Sequence, residues 1–240
     1  MVLKAVFLEF SGVIVKDMAL QRHLIDELLI SENLRPDKAE YGRVCVGRSD
    51  RTCLDQLLTR RGRVTSPDYL DKLLTKKSDA YIQTLSEEKK LPLYPGLEDL
   101  LYQIKTASLP LGIVTGARKK EVDWLLAQAN LTPQVTVMVT GSDFSLEDEK
   151  PSPKSYEMAL ANLNAQKPGL NAAPEECLAV EAFYPGITAA RQAGIPVVGV
   201  AHAYPYRMIQ RRADWAVDYL NEIDLDWIRR WYEPQAIAST

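Results

Sequence analysis

The chain is poor in histidine and cysteine. It contains two histidines, His23 and His202, and three cysteines among its 240 residues. So few imidazole groups leave little material for a histidine-based metal site or for a serine–histidine–aspartate triad. The cysteines, Cys45, Cys53 and Cys177, are odd in number and lack the spacing of metal ligands. That usage predicts reduced thiols in a cytoplasmic environment.

The chain also lacks a long apolar run and a large excess of charge of either sign. No segment approaches the roughly 20 apolar residues of a membrane span, and Lys4 interrupts the first apolar stretch, unlike a signal peptide. With 29 basic and 32 acidic residues the net charge is −3. This balance gives no reason to expect nucleic acid or an anionic membrane as a partner. We therefore predict a cytoplasmic protein that binds neither.

The first apolar stretch spans residues 3–8 and is followed by Glu9 and Gly12. It is too short for a helix, and its lack of alternation predicts a strand that is buried on both faces of a parallel sheet. An acid at the C-terminal end of such a strand lies where open α/β sheets bind their ligands. Taken alone, the pattern more simply indicates a solvated glutamate at an ordinary strand end.

Strand-like and helix-like segments alternate after Tyr94, which marks the start of this part of the chain. Apolar strands are predicted at residues 109–114, 135–139, 177–180 and 196–200, with helical periodicity between them. Such alternation predicts an α/β fold with a doubly wound parallel sheet and helices on both faces.

Residues 16–90 contain no strand-like run, but they do contain helix-start signals at Ser49 and at Ser66-Pro67. We therefore predict two domains. An α/β core is formed by residues 1–15 and 91–240, and a helical domain formed by residues 16–90 is inserted into it.

Four short motifs resemble those of the haloacid dehalogenase (HAD) superfamily, in particular its β-phosphoglucomutase-like phosphatases. The matching positions are Glu9-Phe10-Ser11-Gly12, Thr115-Gly116-Ala117, Lys150 in Lys-Pro-Ser-Pro, and Glu181-Ala182. The resemblance spans nearly the whole chain, from Lys4 to about Leu220. It implies a Rossmann-like HAD core with a helical cap domain that closes over the active site.

The resemblance also implies roles for individual residues. In this family, position 9 is an aspartate nucleophile that takes the phosphoryl group, and position 11 is an aspartate that acts as general acid and base. The family's third motif places Lys150 against the charge of the phosphate and the nucleophile. Without the resemblance, a lysine in a loop is more simply a solvated surface residue.

The phosphate itself would be bound by the segment Thr115, Gly116 and Ala117, where a hydroxyl and backbone N–H groups precede a helix. Read alone, a threonine before glycine is more simply a helix cap. In the cap, a Gly-x-Ser-Arg-like turn places Arg48, Ser49 and Arg51 toward the substrate.

Three positions depart from the family pattern, because Glu9, Ser11 and Ala182 each replace an aspartate. The extra methylene of Glu9 moves its carboxylate by about 1.5 Å, one C–C bond length. Ser11 is no acid at neutral pH, and Ala182 supplies no ligand to Mg²⁺. Glu9 and Glu181 are the metal-ligand candidates that remain, with Asp143, Glu147 or Asp148 as alternative replacements, and Mg²⁺ is expected as the cofactor only if the protein is active.

We therefore predict a HAD-like protein that is catalytically impaired and that binds or regulates, with a small phosphorylated ligand or a protein as partner. The alternative is a Mg²⁺-dependent phosphatase or phosphomutase that uses Glu9 as its nucleophile. In the first case, Lys150 is expected to form a direct salt bridge with Glu9.

A last helix is predicted near Ile223–Trp231, with Trp227 and Trp231 close together. Because indole rings bury large areas, we expect this helix to dock on the core. Broad exposure of both indoles would indicate an interaction surface instead.

Overall fold

The computed structural model of the protein describes residues 2–232. Its centre is a six-stranded sheet, formed by β1 (Ala5–Leu8), β2 (Leu111–Val114), β3 (Val135–Val139), β4 (Cys177–Glu181), β5 (Val197–Val200) and β6 (Trp215–Val217). All neighbouring strands are parallel, in the order β3-β2-β1-β4-β5-β6. The predicted doubly wound α/β fold is confirmed.

The first strand lies at the middle of the sheet, which explains its unbroken apolar sequence. All four residues of β1 are buried. Val6 and Leu8 belong to one apolar cluster, while Ala5 and Phe7 belong to another, because successive side chains point to opposite faces. Since β1 pairs with β2 on one side and with β4 on the other, the C-terminal ends of these three strands lie side by side.

Four helices lie between β1 and the rest of the core: α1 (Met18–Ser31), α2 (Lys38–Val44), α3 (Asp50–Thr59) and α4 (Pro67–Ser86). The Ser49 hydroxyl accepts the N–H of Thr52 at the start of α3, and the Ser66 hydroxyl accepts that of Tyr69 at the start of α4. We call residues 16–90 the helical insertion. Its helices pack around an apolar cluster of their own, which includes Ile25, Leu28, Leu29, Leu54, Leu57, Leu58, Leu70, Leu73 and Leu74.

The chain leaves and re-enters the core at neighbouring points, where Val15 and Leu93 form an isolated antiparallel bridge. The later helices cover the sheet: α5 (Leu97–Thr106), α6 (Lys119–Gln128), α7 (Lys154–Gln166), α8 (Tyr184–Gln192), α9 (Tyr206–Gln210) and α10 (Leu225–Tyr232). Within residues 2–232, none of the helices combines the length and the apolar character that a bilayer span requires.

The last helix, α10, docks on the core through Leu225, Ile228 and Tyr232, which are buried. The predicted docking of this helix on the core is therefore present. The indoles contribute less than expected, since Trp227 is 45% and Trp231 is 65% exposed, although Trp231 packs edge-on against Trp215 of β6.

Two of the three cysteines are joined. Cys45, directly after α2, forms a disulfide with Cys53 in the first turn of α3, and only Cys177 is a free thiol. The prediction of three reduced thiols is wrong for this pair. The turn between α2 and α3 brings the two Cα atoms within 4.5 Å, which the sequence separation of 8 residues does not reveal.

A buried ion cluster joins the helical insertion to the core. The ammonium of Lys77 on α4 lies 2.6 Å from the carboxylate of Asp50 on α3 and 3.0 Å from that of Glu121 on α6. Burial alone would lower the pKa of Lys77, but the two carboxylates raise it above its ordinary value. Burial also raises the pKa of Glu121, against the attraction of Lys77. The charge of Glu121 therefore depends on its contact with the insertion.

We expect Lys77→Met to destabilise the protein by about 3–5 kcal/mol, because Glu121 is left buried without its counter-ion. Chemical denaturation near neutral pH measures the change. The matched control is Lys120→Met, which removes a solvent-exposed pair between the same two helices, Lys120 with Asp79. That control should change stability by about 0.5 kcal/mol or less. Equal losses in the two variants would contradict the prediction.

Candidate active site

The ends of three adjacent strands bring the predicted site residues together. Glu9 follows β1, Thr115 follows β2, and Glu181 is the last residue of β4. Lys150 reaches the same point from the loop before α7. All four side chains are buried.

Lys150 is the centre of this cluster. Its Nζ donates to Glu9 Oε2 at 2.7 Å, to Glu181 Oε1 at 2.7 Å and to the carbonyl oxygen of Val114 at 2.8 Å. An ammonium group has three protons, so these contacts use all of them. The predicted salt bridge between Lys150 and Glu9 is present.

Both glutamates have further partners. Glu9 Oε1 accepts the N–H of Phe10 at 2.7 Å, so each carboxylate oxygen of Glu9 is engaged. Glu181 Oε1 also accepts the hydroxyl of Tyr156 at 2.6 Å. Glu181 Oε2 has no hydrogen-bond partner among the described residues and lies against Gly186, where a Cβ would come within 2.2 Å of it. Only glycine leaves room for this carboxylate.

The electrostatics follow from burial. Desolvation raises the pKa of Glu181 to about 7, Lys150 opposes the shift, and the nearby charge of Glu9 adds to it. Burial would lower the pKa of Lys150, but the two glutamates raise it above its ordinary value. The lysine is therefore held as an ammonium ion.

These residues do not fit a Mg²⁺ ion. Mg²⁺ demands a near-ideal octahedron of oxygen ligands. Glu9 and Glu181 already share the Lys150 ammonium, and Ala182 adds only a buried methyl group beside them. Throughout the described range 2–232, no group of three or more histidine, cysteine, aspartate or glutamate side chains is placed to hold a metal ion.

Ser11 is directed toward a residue that sequence reasoning missed. Its hydroxyl donates to Asp17 Oδ2 at 3.1 Å, and the same oxygen accepts from Gln21 and from Tyr81, each at 2.9 Å. Burial raises the pKa of Asp17 to about 6, although the hydrogen bonds from Gln21, Tyr81 and Ser11 oppose the shift. The available signal was an acid directly before the first apolar helix, a position typical of an ordinary helix cap.

The expected phosphate-binding segment is partly occupied by the protein itself. The N–H of Ala117 donates to Thr115 Oγ1 at 3.1 Å. A Cβ at Gly116 would lie 3.1 Å from the Cα of Ser49, so the insertion packs directly over this backbone. Of the donors predicted to bind phosphate, the N–H of Ala117 already has a protein partner.

Two of the three predicted cap residues, Arg48 and Ser49, lie beside the Lys150 cluster and the Thr115–Ala117 segment. Arg48 Nη1 donates to the carbonyl oxygen of Lys150 at 3.1 Å. The N–H of Ser49 and the hydroxyl of Thr52 both donate to the carboxylate of Glu149, a pairing that the sequence did not suggest. Arg51 lies elsewhere, in a separate surface depression beside Asp68 and Asp71. It does not line the cavity that holds Glu9 and Arg48, and its predicted contact with a substrate stays a prediction.

A cavity of about 90 Å³ lies between the sheet edge and the helical insertion. It is lined by Glu9, Ser11, Met18, Gln21, Tyr41, Cys45, Val46, Gly47, Arg48, Asp50, Cys53, Thr115, Gly116, Ala117 and Phe183. The charged groups that line the cavity are the carboxylates of Glu9 and Asp50 and the guanidinium of Arg48, and the rest of the lining is largely apolar. The cavity has room for a few waters or for a small ligand.

Comparison with known proteins identifies relatives along most of the chain. The model of the haloacid dehalogenase-like hydrolase family matches residues 6–200. Protein CbbY of Rhodobacter capsulatus is 25% identical over 224 residues, 92% of this chain and 95% of CbbY. Phosphoglycolate phosphatase of Escherichia coli K12 is 30% identical over 135 residues, 56% of this chain and 50% of that protein. The crystal structure of β-phosphoglucomutase from Clostridium difficile shares the fold, with a TM-score of 0.81, 20% identity and 97% coverage of each chain.

Asp17 yields a pH prediction. Its folded-state pKa of about 6 lies above the ordinary 3.8, so its contribution to stability is fully present below about pH 4 and is lost as the pH rises through 6. As the pH rises from about 4 to about 7.5, the free energy of unfolding of Asp17→Asn should increase relative to that of the wild type by up to about 3 kcal/mol. Chemical denaturation of both proteins across this range measures the difference.

Asp123→Asn is the control, since Asp123 is solvent-exposed and paired with Lys119 on one helix. The free energy of unfolding of this control should stay within about 0.5 kcal/mol of the wild-type value at every pH. A difference between Asp17→Asn and the wild type that does not change with pH would contradict the prediction.

Proposed function

The chain belongs to the haloacid dehalogenase-like hydrolases, and from this premise we propose that it is a catalytically impaired member that acts as a binding or regulatory protein. The observation that carries the proposal is the position of Lys150. Its ammonium lies 2.7 Å from both Glu9 and Glu181, and all its protons are bonded. An ion pair within the protein thus occupies the space between Glu9, at the nucleophile position, and Glu181, the other candidate metal ligand.

The chemistry of phosphoryl transfer supports this proposal. Both oxygens of Glu9 accept short hydrogen bonds, one of them from an ammonium, and this withdraws electron density from the carboxylate that would have to attack phosphorus. Misplacement on the order of 1 Å can cost about a hundredfold in rate. The Ser11 hydroxyl donates to Asp17 and is no acid near neutral pH, and loss of general acid/base catalysis costs about 10²- to 10⁴-fold.

A small phosphorylated ligand is one partner that suits the cavity. Arg48 and the backbone of Gly116 line it, and both are donors that need no metal ion. The carboxylates of Glu9 and Asp50 line the same cavity and repel an anionic ligand. We therefore propose weak binding of phosphate groups, with Arg48 as the principal contact.

A protein partner is the other part of the proposal. Trp227 and Trp231 stand 45% and 65% exposed on α10, their ring centroids 6.0 Å apart. Large aromatic side chains are enriched among the residues that dominate binding energy in protein interfaces. An exposed indole pair on a docked helix supports such a role.

The second candidate function is a Mg²⁺-dependent phosphatase or phosphomutase with Glu9 as nucleophile. It is favoured by the names of the relatives, among them a phosphoglycolate phosphatase, and by the carboxylate that position 9 retains. This candidate requires Lys150 to release Glu9 when substrate binds.

Turnover of a panel of sugar and nucleotide phosphates in the presence of Mg²⁺ separates the two candidates. We expect the wild type to remain at background and the triple variant Glu9→Asp/Ser11→Asp/Ala182→Asp to exceed it by at least about a hundredfold. The physical reason is that the variant restores a shorter nucleophile, a proton donor and a metal ligand together.

Two controls accompany this assay. Adding Lys150→Met to the triple variant should remove the gained activity, and calorimetric titration of the wild type with Mg²⁺ should show no tight binding. Mg²⁺-dependent turnover by the wild type that Glu9→Gln abolishes would overturn the proposal in favour of the phosphatase.

A further inference from the structure

The disulfide between Cys45 and Cys53 lies in the wall of the candidate active site. Both residues are buried, at 5% and 2% exposure, and both line the cavity beside Gly47 and Arg48. The bond connects the end of α2 with the first turn of α3. The segment that it closes, residues 46–52, is called the disulfide loop below.

The disulfide loop contacts the core at three separate places. Gly47, with φ at +76°, packs against Phe183 after β4, where a Cβ would come within 2.7 Å of the Phe183 side chain. Arg48 donates to the Lys150 carbonyl before α7. The backbone of Ser49 covers Gly116 after β2. This short loop thus packs the insertion against the ends of β2 and β4 and against the segment that carries Lys150.

We propose that Cys45 and Cys53 are a reversible redox site, and that their disulfide holds this loop in its sealing conformation. The reductant is a dithiol or two small monothiols, which reach the sulfurs when the cavity beside the loop opens locally. A reductant thiolate attacks one sulfur, the S–S bond breaks, and the other cysteine leaves as a thiolate that takes up a proton. A second reductant thiolate then attacks the mixed disulfide and releases the first cysteine, which is protonated in turn. Two electrons pass to the protein pair, and the reductant leaves as its disulfide.

Reduction removes the covalent link between the two ends of the loop. The loop is then held without a covalent bond, by the hydrogen bond from Arg48 to the Lys150 carbonyl, by the two that Glu149 accepts from Ser49 and Thr52, and by packing. Its conformational freedom increases, and so does access to the Lys150 cluster. The inference does not depend on the proposed function, since it concerns the closure of the site and not what the site does.

Cys177 offers a matched internal control. It is buried in β4, and burial raises the pKa of its thiol to about 12. A thiol with so little thiolate reacts slowly in exchange. We therefore expect Cys177 to stay reduced under conditions that oxidise the other pair.

The test uses the full chain, incubated with glutathione disulfide or with dithiothreitol, then unfolded, alkylated and weighed intact. We expect one alkylated cysteine after glutathione disulfide and three after dithiothreitol. Hydrogen exchange of the backbone amides in 46–52 and 115–117 should become at least tenfold faster after reduction, and the Tm should fall by on the order of 5 °C.

Two variants keep the test decisive. Cys53→Ala should show the fast exchange of reduced protein whichever reagent is used, whereas Cys177→Ala should keep the full response. Three alkylated cysteines after glutathione disulfide would overturn the proposal at the chemical step. Equal exchange in oxidised and reduced protein would overturn the role of the bond in closure, whatever the phosphatase assay shows.

Discussion

The structure of the site depends on one ammonium group that compensates two buried carboxylates. Glu9 and Glu181 lie at the ends of neighbouring strands in the middle of the sheet, and both carboxylates are buried. Two buried negative charges at such a place are costly unless a cation and hydrogen bonds satisfy them. Lys150 supplies the cation, while Phe10 and Tyr156 supply the remaining donors.

Buried charged groups are also paired with partners between the core and the helical insertion. Lys77 pairs with Asp50 and Glu121, and Glu149 of the core accepts two hydrogen bonds from the start of α3. Each contact is buried, so separating the insertion from the core would expose or orphan several charged groups. Any opening of this interface would have to break these contacts.

The Lys150 cluster and the buried contacts of the helical insertion together explain the three substitutions in the family pattern. Glu9 is long enough to reach Lys150, Ser11 can donate a hydrogen bond to Asp17, and Ala182 removes a charge that the cluster has no cation to balance. In the resulting cluster the protein's own groups engage both oxygens of Glu9 and one oxygen of Glu181, while Glu181 Oε2 has no hydrogen-bond partner among the described residues. Carboxylates that already share a lysine gain less from a metal ion, which is the physical basis of the proposed loss of turnover.

The sequence alone determined the elements that local pattern encodes. The unbroken apolar run before Glu9 specified a buried central strand, and the alternation after Tyr94 specified the parallel sheet. Parallel pairing then required that Glu9, Thr115 and Glu181 end at one edge, so the ion pair of Lys150 with Glu9 followed from the motifs.

Only the tertiary structure decided the contacts between distant segments. The link from Ser11 through Asp17 to Tyr81, the pairing of Glu149 with Thr52 and the bond between Cys45 and Cys53 depend on how helices pack. The outward directions of Arg51 and Trp231 depend on it as well. Periodicity fixes the face of a helix that is apolar, but it carries no information on which residue of another helix will meet it.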